Sequence, residues 1–270
     1  MGTVYLVGAG PGAADLITVR GANLLAKADM VFHDALIDPA MLELCPQAIQ
    51  VAVGKRCGKL SSAQEFINKR LVDAAQKYQT IVRLKGGDPM LFGRADEEIT
   101  ALSHAGISFE IVPGITAALA GAASLQKSLT LRGLARSVAF VTLAQASESG
   151  GINQLQPLQN PSADTLVYYM GRKDAAQIAK QLLEASPNHR GDTPVHILEA
   201  VSTPKERHWE SNLLALAQGK ADHWFDPGSP ALILIGQALQ TNQNVLKGSS
   251  SKVDDGLQNS LVFSNSRRSA

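Results

Sequence analysis

The residues of this 270-residue chain whose types and spacing suit chemistry cluster in a few short turns. The first is Gly8-Ala9-Gly10-Pro11-Gly12-Ala13, which follows a short apolar run. Glycine there permits a sharp turn and lets a ligand approach the backbone. The string fits G-x-G-x-x-G/A, and Asp34 stands 26 residues after Gly8, close to where a dinucleotide-binding unit keeps its ribose-binding acid. Pro11 speaks against a phosphate cradle built from amides, since it has no N–H to offer. The second turn reads Gly86-Gly87-Asp88-Pro89 and continues to Gly93-Arg94 and then Asp96-Glu97-Glu98. It sets backbone groups and a carboxylate where parallel sheets bind ligands, beyond the carboxyl end of a strand. Asp96 and Glu98 read as ordinary partners of a helix dipole. Two further strings stand out: VPGITAALAGAAS, which contains Thr116 and Ala117, and YYMG, which contains Met170. Small residues in the former allow another chain or a ligand to lie close, and tight helix packing explains them equally well.

Elements that must position these turns follow from periodicity. Residues 4–7, 30–32, 50–53, 80–84 and 109–112 are brief runs rich in Val and Ile without polar alternation, which predicts buried strands of a parallel sheet. A helix is predicted from Ser62 to about Tyr78, opened by the capping box Ser62-x-x-Glu65 and striped by Ile67, Leu71, Ala74 and Tyr78. The βα rhythm breaks at Pro113-Gly114. A second series follows, with strands expected near residues 138–142, 165–169, 194–198 and 231–235. The expected organisation is an N-terminal α/β domain over residues 1–113, a C-terminal α/β domain over 114–240, and a disordered tail over 241–270, where Ser, Asn, Gln and Lys abound without a period.

Composition narrows the classes. The chain is 45 % hydrophobic and 18 % charged, which excludes a disordered chain, a collagen-like repeat and a coiled coil. Lys and Arg number 25 against 24 Asp and Glu, a balance unlike that of a sequence-independent nucleic-acid binder, so no nucleic-acid partner is expected. Cys45 and Cys57 form no CxxC, and His33, His104, His189, His196, His208 and His223 share no ligand spacing, so no metal site is expected. No run of about 18 apolar residues is present, and the start has no signal-peptide pattern, so a cytoplasmic protein without membrane contact is expected.

The strings VYLVGAGPG, VFHDALI, VGKR, RLKGGDPMLFGR, VPGITAA, SLTLRG, VYYMG and SPALILIG occur in an order that resembles the tetrapyrrole methylases, over about residues 2–240. The resemblance implies a two-domain α/β fold, with a mainly parallel N-terminal sheet and a mixed C-terminal sheet, normally a homodimer. It implies S-adenosyl-methionine in a cleft between the domains. It further implies C-methylation of uroporphyrinogen III at carbons 2 and 7, giving precorrin-2 for sirohaem, haem d1 or cobalamin. Carried over position by position, cofactor contacts fall on Pro11, Gly86, Gly87, Asp88, Leu91, Thr116, Ala117, Met170 and Val201. A proton acceptor falls on Asp34 and a donor on Lys55. Arg94 and Glu97 face the macrocycle, and Arg132 is a further substrate arginine. This chain departs from the family at Leu131, Leu143-Ala144 and Val201, the first two places having lost a histidine and the third a glycine.

Methyl transfer from a sulfonium to carbon needs positioning and exclusion of water more than activation, because the leaving group is already good. An acidic macrocycle needs cations, and arginine pairs bidentately with carboxylates. Arg20, Lys55, Arg56, Arg94, Arg132 and Arg136 are the candidates. Methylation of another precorrin, a dinucleotide-dependent oxidoreductase using the first turn, and a non-catalytic ligand-binding module are the alternative readings.

Overall fold

The computed structural model describes residues 1–34, 37–53, 60–142 and 162–240, with residues 60–63 described by backbone alone. Residues Met1–Leu239 form one compact unit. Its first half carries β1 (Thr3–Gly8), α1 (Val19–Leu25), β2 (Met30–His33), α2 (Pro39–Leu42), β3 (Ile49–Ala52), α3 (Leu60–Ala75), β4 (Thr80–Lys85), α4 (Ala95–His104) and β5 (Ser108–Val112). The strands pair in the order β3-β2-β4-β1-β5, every pair parallel, as the unalternating apolar runs require. Both faces are covered. Val7, Val31, Val82 and Leu84 pack with Leu25, Met41 and Cys45 on one side, and Val4, Leu6, Phe32 and Ile81 pack with Leu71, Ala74 and Leu102 on the other.

The second half carries α5 (Ala117–Ser124), β6 (Val138–Thr142), β7 (Thr165–Tyr169), α6 (Ala175–Ala185), β8 (Pro194–Glu199), β9 (Arg207–Asn212), α7 (Leu213–Ala217) and β10 (Ala231–Gly236). The order is β6-β7-β10-β8-β9, with β6 and β7 parallel and the other pairs antiparallel. This is a mixed sheet. The helices α6 and α7 cover one face, and α5 covers the other through Ala118, Ala120 and Ala122. Small residues are needed there: a Cβ on Gly121 would stand 2.9 Å from Leu198 Cδ1.

Two elements differ from expectation. The helix α3 starts at Leu60, so Ser62 lies inside it and the Ser62-x-x-Glu65 box is not its cap. The strand β9 was not foreseen. It is an edge strand reading RHWESN, with mostly exposed residues and no apolar run to mark it. Its register with β8 sets His196 opposite Glu210 and Leu198 opposite His208, which gathers residues that are scattered in the sequence. Linear spacing gives no sign of this grouping, because antiparallel pairing creates neighbours that are distant in the chain. The tail from residue 241, Lys55, Arg56, Cys57 and the Leu143-Ala144 departure lie outside the described residues.

Candidate active site

The strands β4, β1 and β5 are adjacent, so the turns that follow them meet at one sheet edge. Ala9 N donates to the Lys85 carbonyl at 2.8 Å, and Gly10 and Gly87 exchange backbone hydrogen bonds at 3.1 and 2.7 Å. Asp88 ties the loops together: Oδ2 accepts from Gly114 N at 2.9 Å and Oδ1 from Met90 N at 2.8 Å. Glycine is required here by close approach. A Cβ on Gly8 would stand 2.6 Å from Gly114 Cα. The side of the loop at Gly86 is different, since a Cβ there would meet nothing within 4 Å. Peptide backbone therefore faces open space at the sheet edge, with Gly87 beside it at φ +67°.

The same geometry bears on the dinucleotide reading. The turn's amides at Ala9, Gly10 and Ala13 donate to Lys85, Gly87 and Ser202 Oγ, and Pro11 has none. A short 3-10 turn (Ala14–Leu16) follows, and α1 begins only at Val19. A phosphate cradle needs free amides at the start of a helix. Here three of the turn's amides are already engaged and no α-helix begins within it.

The second sheet provides the opposite wall. Tyr169 ends β7, and its hydroxyl lies 2.5 Å from Thr116 Oγ1 and accepts from Ala118 N at 3.0 Å. Thr116 thus spends its hydroxyl on Tyr169 rather than on capping α5. Burial raises the Tyr169 phenol above its ordinary value, and the Thr116 and Ala118 hydrogen bonds partly offset this. Phe92 and Phe140 pack edge-on against its ring, with centroids 5.1 and 6.1 Å away. Met170 follows and is 55 % exposed. Gly12 packs beneath the loop after β8, where a Cβ would stand 2.8 Å from the Val201 carbonyl. Pro11, Leu91 and Ala117 are half-buried in these loops. The Val201 side chain is buried in the cluster that holds Ala118 and Ala120 of α5, and its carbonyl lies beside Gly12.

Strain concentrates in the same loops. Phe92, Arg94, Met170, Ala200 and Ser202 all have φ between 49° and 61° without being glycine. Such residues cost about 1–3 kcal/mol each and persist where surrounding structure holds them for function.

A buried charge network lies behind this edge. Arg83 donates from Nη2 to Asp34 Oδ1 at 2.5 Å and from Nε to Glu98 Oε1 at 2.9 Å. Lys85 Nζ donates to Glu98 Oε2 at 2.9 Å, and Gln64 Nε2 to Glu98 Oε1 at 3.3 Å. Arg83, Lys85 and Glu98 are all buried, whereas Asp34 is 36 % exposed. Burial works against the Arg83 cation, but Asp34 and Glu98 outweigh it and hold the guanidinium above its ordinary value. For Lys85 burial wins, aided by Arg83, and the ammonium lies below its ordinary value. Glu98 is therefore not the helix-dipole partner that its place in α4 suggested. The sequence does carry a signal, namely two cations two residues apart within the apolar run of β4.

The remaining expected residues divide. Arg94 and Glu97 form a bidentate pair, Nε to Oε1 at 2.5 Å and Nη2 to Oε2 at 2.7 Å. Arg132 is exposed in the turn bridged by Leu131 and Ala135. Arg20 does not join them; it pairs with Glu110 on the α1 side of the first sheet.

Comparison with known proteins gives the family. The sequence pattern of the Tetrapyrrole (Corrin/Porphyrin) Methylases matches residues 3–217. A siroheme synthase from Pseudomonas fluorescens is 40 % identical over 257 residues, which are 93 % of this chain and 54 % of that protein. The chain thus spans about half the length of the siroheme synthases it matches. A uroporphyrinogen-III C-methyltransferase from Pseudomonas aeruginosa is 41 % identical over 243 residues, covering 88 % of this chain and 95 % of that one. The crystal structure of a uroporphyrin-III C-methyl transferase from Thermus thermophilus complexed with S-adenyl homocysteine superposes with a TM-score of 0.73. It is 38 % identical and covers 88 % of this chain and 94 % of that one. On sequence, fold and site together, the chain belongs to the tetrapyrrole methylases.

Proposed function

We propose that this chain is an S-adenosyl-methionine-dependent C-methyltransferase that converts uroporphyrinogen III to precorrin-2. The observation that carries the reading is the open backbone at Gly86 and Gly87, where a Cβ on Gly87 would stand 3.9 Å from Thr116 Cα, with Thr116 paired to Tyr169 and the exposed Met170 next to it in the chain. That site fits a flat, polar adenosyl group better than a phosphate chain. When bound, the cofactor supplies an electrophilic methyl group on a sulfonium.

Pro11, Gly86, Gly87, Asp88, Leu91, Thr116, Ala117 and Met170 hold the cofactor in this reading, Asp88 by fixing the loops. Val201 contributes through its backbone. Arg94 and Arg132 meet the macrocycle's carboxylates, and Glu97 sets the plane of the Arg94 guanidinium. Methylation of a pyrrole carbon leaves a cation that must lose a proton. Asp34 Oδ2 is the acceptor, because Arg83 holds Oδ1 and both Glu97 oxygens are bonded to Arg94. Lys55 is the proton donor by family position. In this reading residues 1–113 and 114–240, each with its own sheet, act as two domains with the cofactor between them. A homodimer in the cytoplasm, acting on a small acidic substrate rather than a nucleic acid, completes the proposal.

Incubation with uroporphyrinogen III and methyl-labelled S-adenosyl-methionine, followed by mass analysis, tests it. The expected product carries two labelled methyl groups. Unmethylated substrate, or a thermal shift with NAD and none with S-adenosyl-homocysteine, would remove the proposal.

A further inference from the structure

We propose that His196, His208 and Glu210 form a binding site for a borderline divalent cation of the zinc class, remote from the methyl-transfer loops in role and in ligand chemistry. The three donor atoms come from the β8 and β9 pair and lie within 4.8 Å of one another. His196 is fully buried, and its Nε2 lies 2.9 Å from the Leu239 carbonyl. A carbonyl only accepts, so the His196 proton sits on Nε2, and the Nδ1 lone pair points at His208 Nε2, 2.9 Å away. A ring nitrogen tied to a carbonyl with the other left as a lone pair is the usual outer-shell arrangement of a metal-ligating histidine.

The spacing is near what a metal needs. Bonds of about 2.0–2.1 Å in a tetrahedron place donors about 3.4 Å apart. The imidazole pair must open by about half an ångström. His208 can do this, because it is exposed on an edge strand, with its ring centroid 5.1 Å from that of His196. Metal binding through His208 Nε2 requires its proton to move to Nδ1 by exchange with solvent; a cationic His208 releases one proton instead.

The charges facing the pair favour a cation on balance. Glu210 faces both rings and Glu206 faces His208, whereas Lys127 opposes them. Glu210 is the carboxylate whose oxygen lies within 4.8 Å of both imidazole donors, whereas Glu206 accepts from Ser124 Oγ and Ser202 N. Two imidazoles and a carboxylate suit Zn²⁺, Co²⁺ or Ni²⁺, with water in the remaining position, and do not suit Mg²⁺ or Ca²⁺.

The test is calorimetric titration of the full chain with Zn²⁺ alone, repeated for His208→Ala, Glu210→Gln and, as a control, His104→Ala. Both site residues are exposed, so the variants should fold, and circular dichroism checks that they do. Binding of about one equivalent is expected, weakened at least tenfold by either site substitution and unchanged by the control. Co²⁺ should give the intense visible absorption of a tetrahedral site, and His208→Ala should abolish it. Two results would overturn the proposal: no Zn²⁺ uptake by the parent, or uptake that His208→Ala and Glu210→Gln leave unchanged. The pair would then be a hydrogen bond that closes the sheet edge and nothing more.

Discussion

The central strands of the two sheets solve the same packing problem with different chemistry. In the second sheet β10 buries Leu232, Ile233, Leu234 and Ile235 between helices, with no charge among them. In the first sheet β4 buries Ile81, Val82 and Leu84 and also Arg83 and Lys85, which meet the fully buried Glu98. Burying ions costs several kcal/mol each, and well-packed apolar residues would serve stability as well or better. The charges are found where one end of the network reaches Asp34 at the candidate site. The first sheet accepts an electrostatic cost to orient a carboxylate, while the second supplies a stiff apolar wall that carries Tyr169 and Met170.

That contrast can be broken at its strongest point. Glu98→Ala leaves two buried cations without their shared partner and should cost about 3–5 kcal/mol. Ile233→Val in the apolar counterpart should cost only about 0.5–1.5 kcal/mol. Urea unfolding measures both. Trp209 and Trp224, the chain's two tryptophans, lie in the second half, so fluorescence follows that region while circular dichroism follows both. Equal midpoints for Glu98→Ala and the parent would show that the network contributes nothing.

Arg94→Lys comes next. It keeps the charge but loses the planar fork that grips Glu97. Loss of a charge-assisted hydrogen bond of about 1.5–3 kcal/mol lowers kcat/KM about ten- to a hundredfold. Affinity for S-adenosyl-homocysteine should stay at the parent value, and a loss of cofactor binding would place Arg94 on the wrong ligand. Tyr169→Phe is milder. It removes the hydroxyl shared by Thr116 and Ala118 N and should cost about 0.5–1.5 kcal/mol in cofactor affinity. Unchanged affinity would detach this wall from the site.

The smallest expected effect is a difference in pH response. Burial holds His189 and His196 below the ordinary value of 6.5. The unfolded chain therefore binds more protons than the folded one as pH falls through 6.5, and stability is lost on the acid side. Lys85 shows the same sign near its ordinary value of 10.5, where stability rises with pH through the window below it. Urea midpoints near pH 7.5 and 5.5 should fall on acidification, and less so for His189→Gln, which carries no titrating ring. An identical acid slope in that variant would remove His189 from the account.

Much of this was legible in the residues. Runs such as VYLV and ALILI are long enough in apolar side chains to fix buried strands, and the turns after them hold the glycines that must touch. What stayed hidden depends on partners distant in the chain. RHWESN looks like a loop because an edge strand buries little. Glu98 looks like a surface acid because nothing near it in sequence announces Arg83 and Lys85. His196 and His208 become neighbours only through antiparallel register. Val201 marks a family position whose side chain packs in the core, which position alone does not reveal.

The central claim is that the cofactor lies against the open backbone at Gly86. Gly86→Val tests it most directly, because a Cβ there meets nothing within 4 Å and the free protein should fold as before. Melting of parent and variant is compared without ligand and with S-adenosyl-homocysteine at about 100 times the parent's Kd, where binding stabilises by about 2.7 kcal/mol. The account predicts equal melting without ligand and a shift seen only in the parent. An equal ligand-induced shift in Gly86→Val would place the cofactor elsewhere and contradict it.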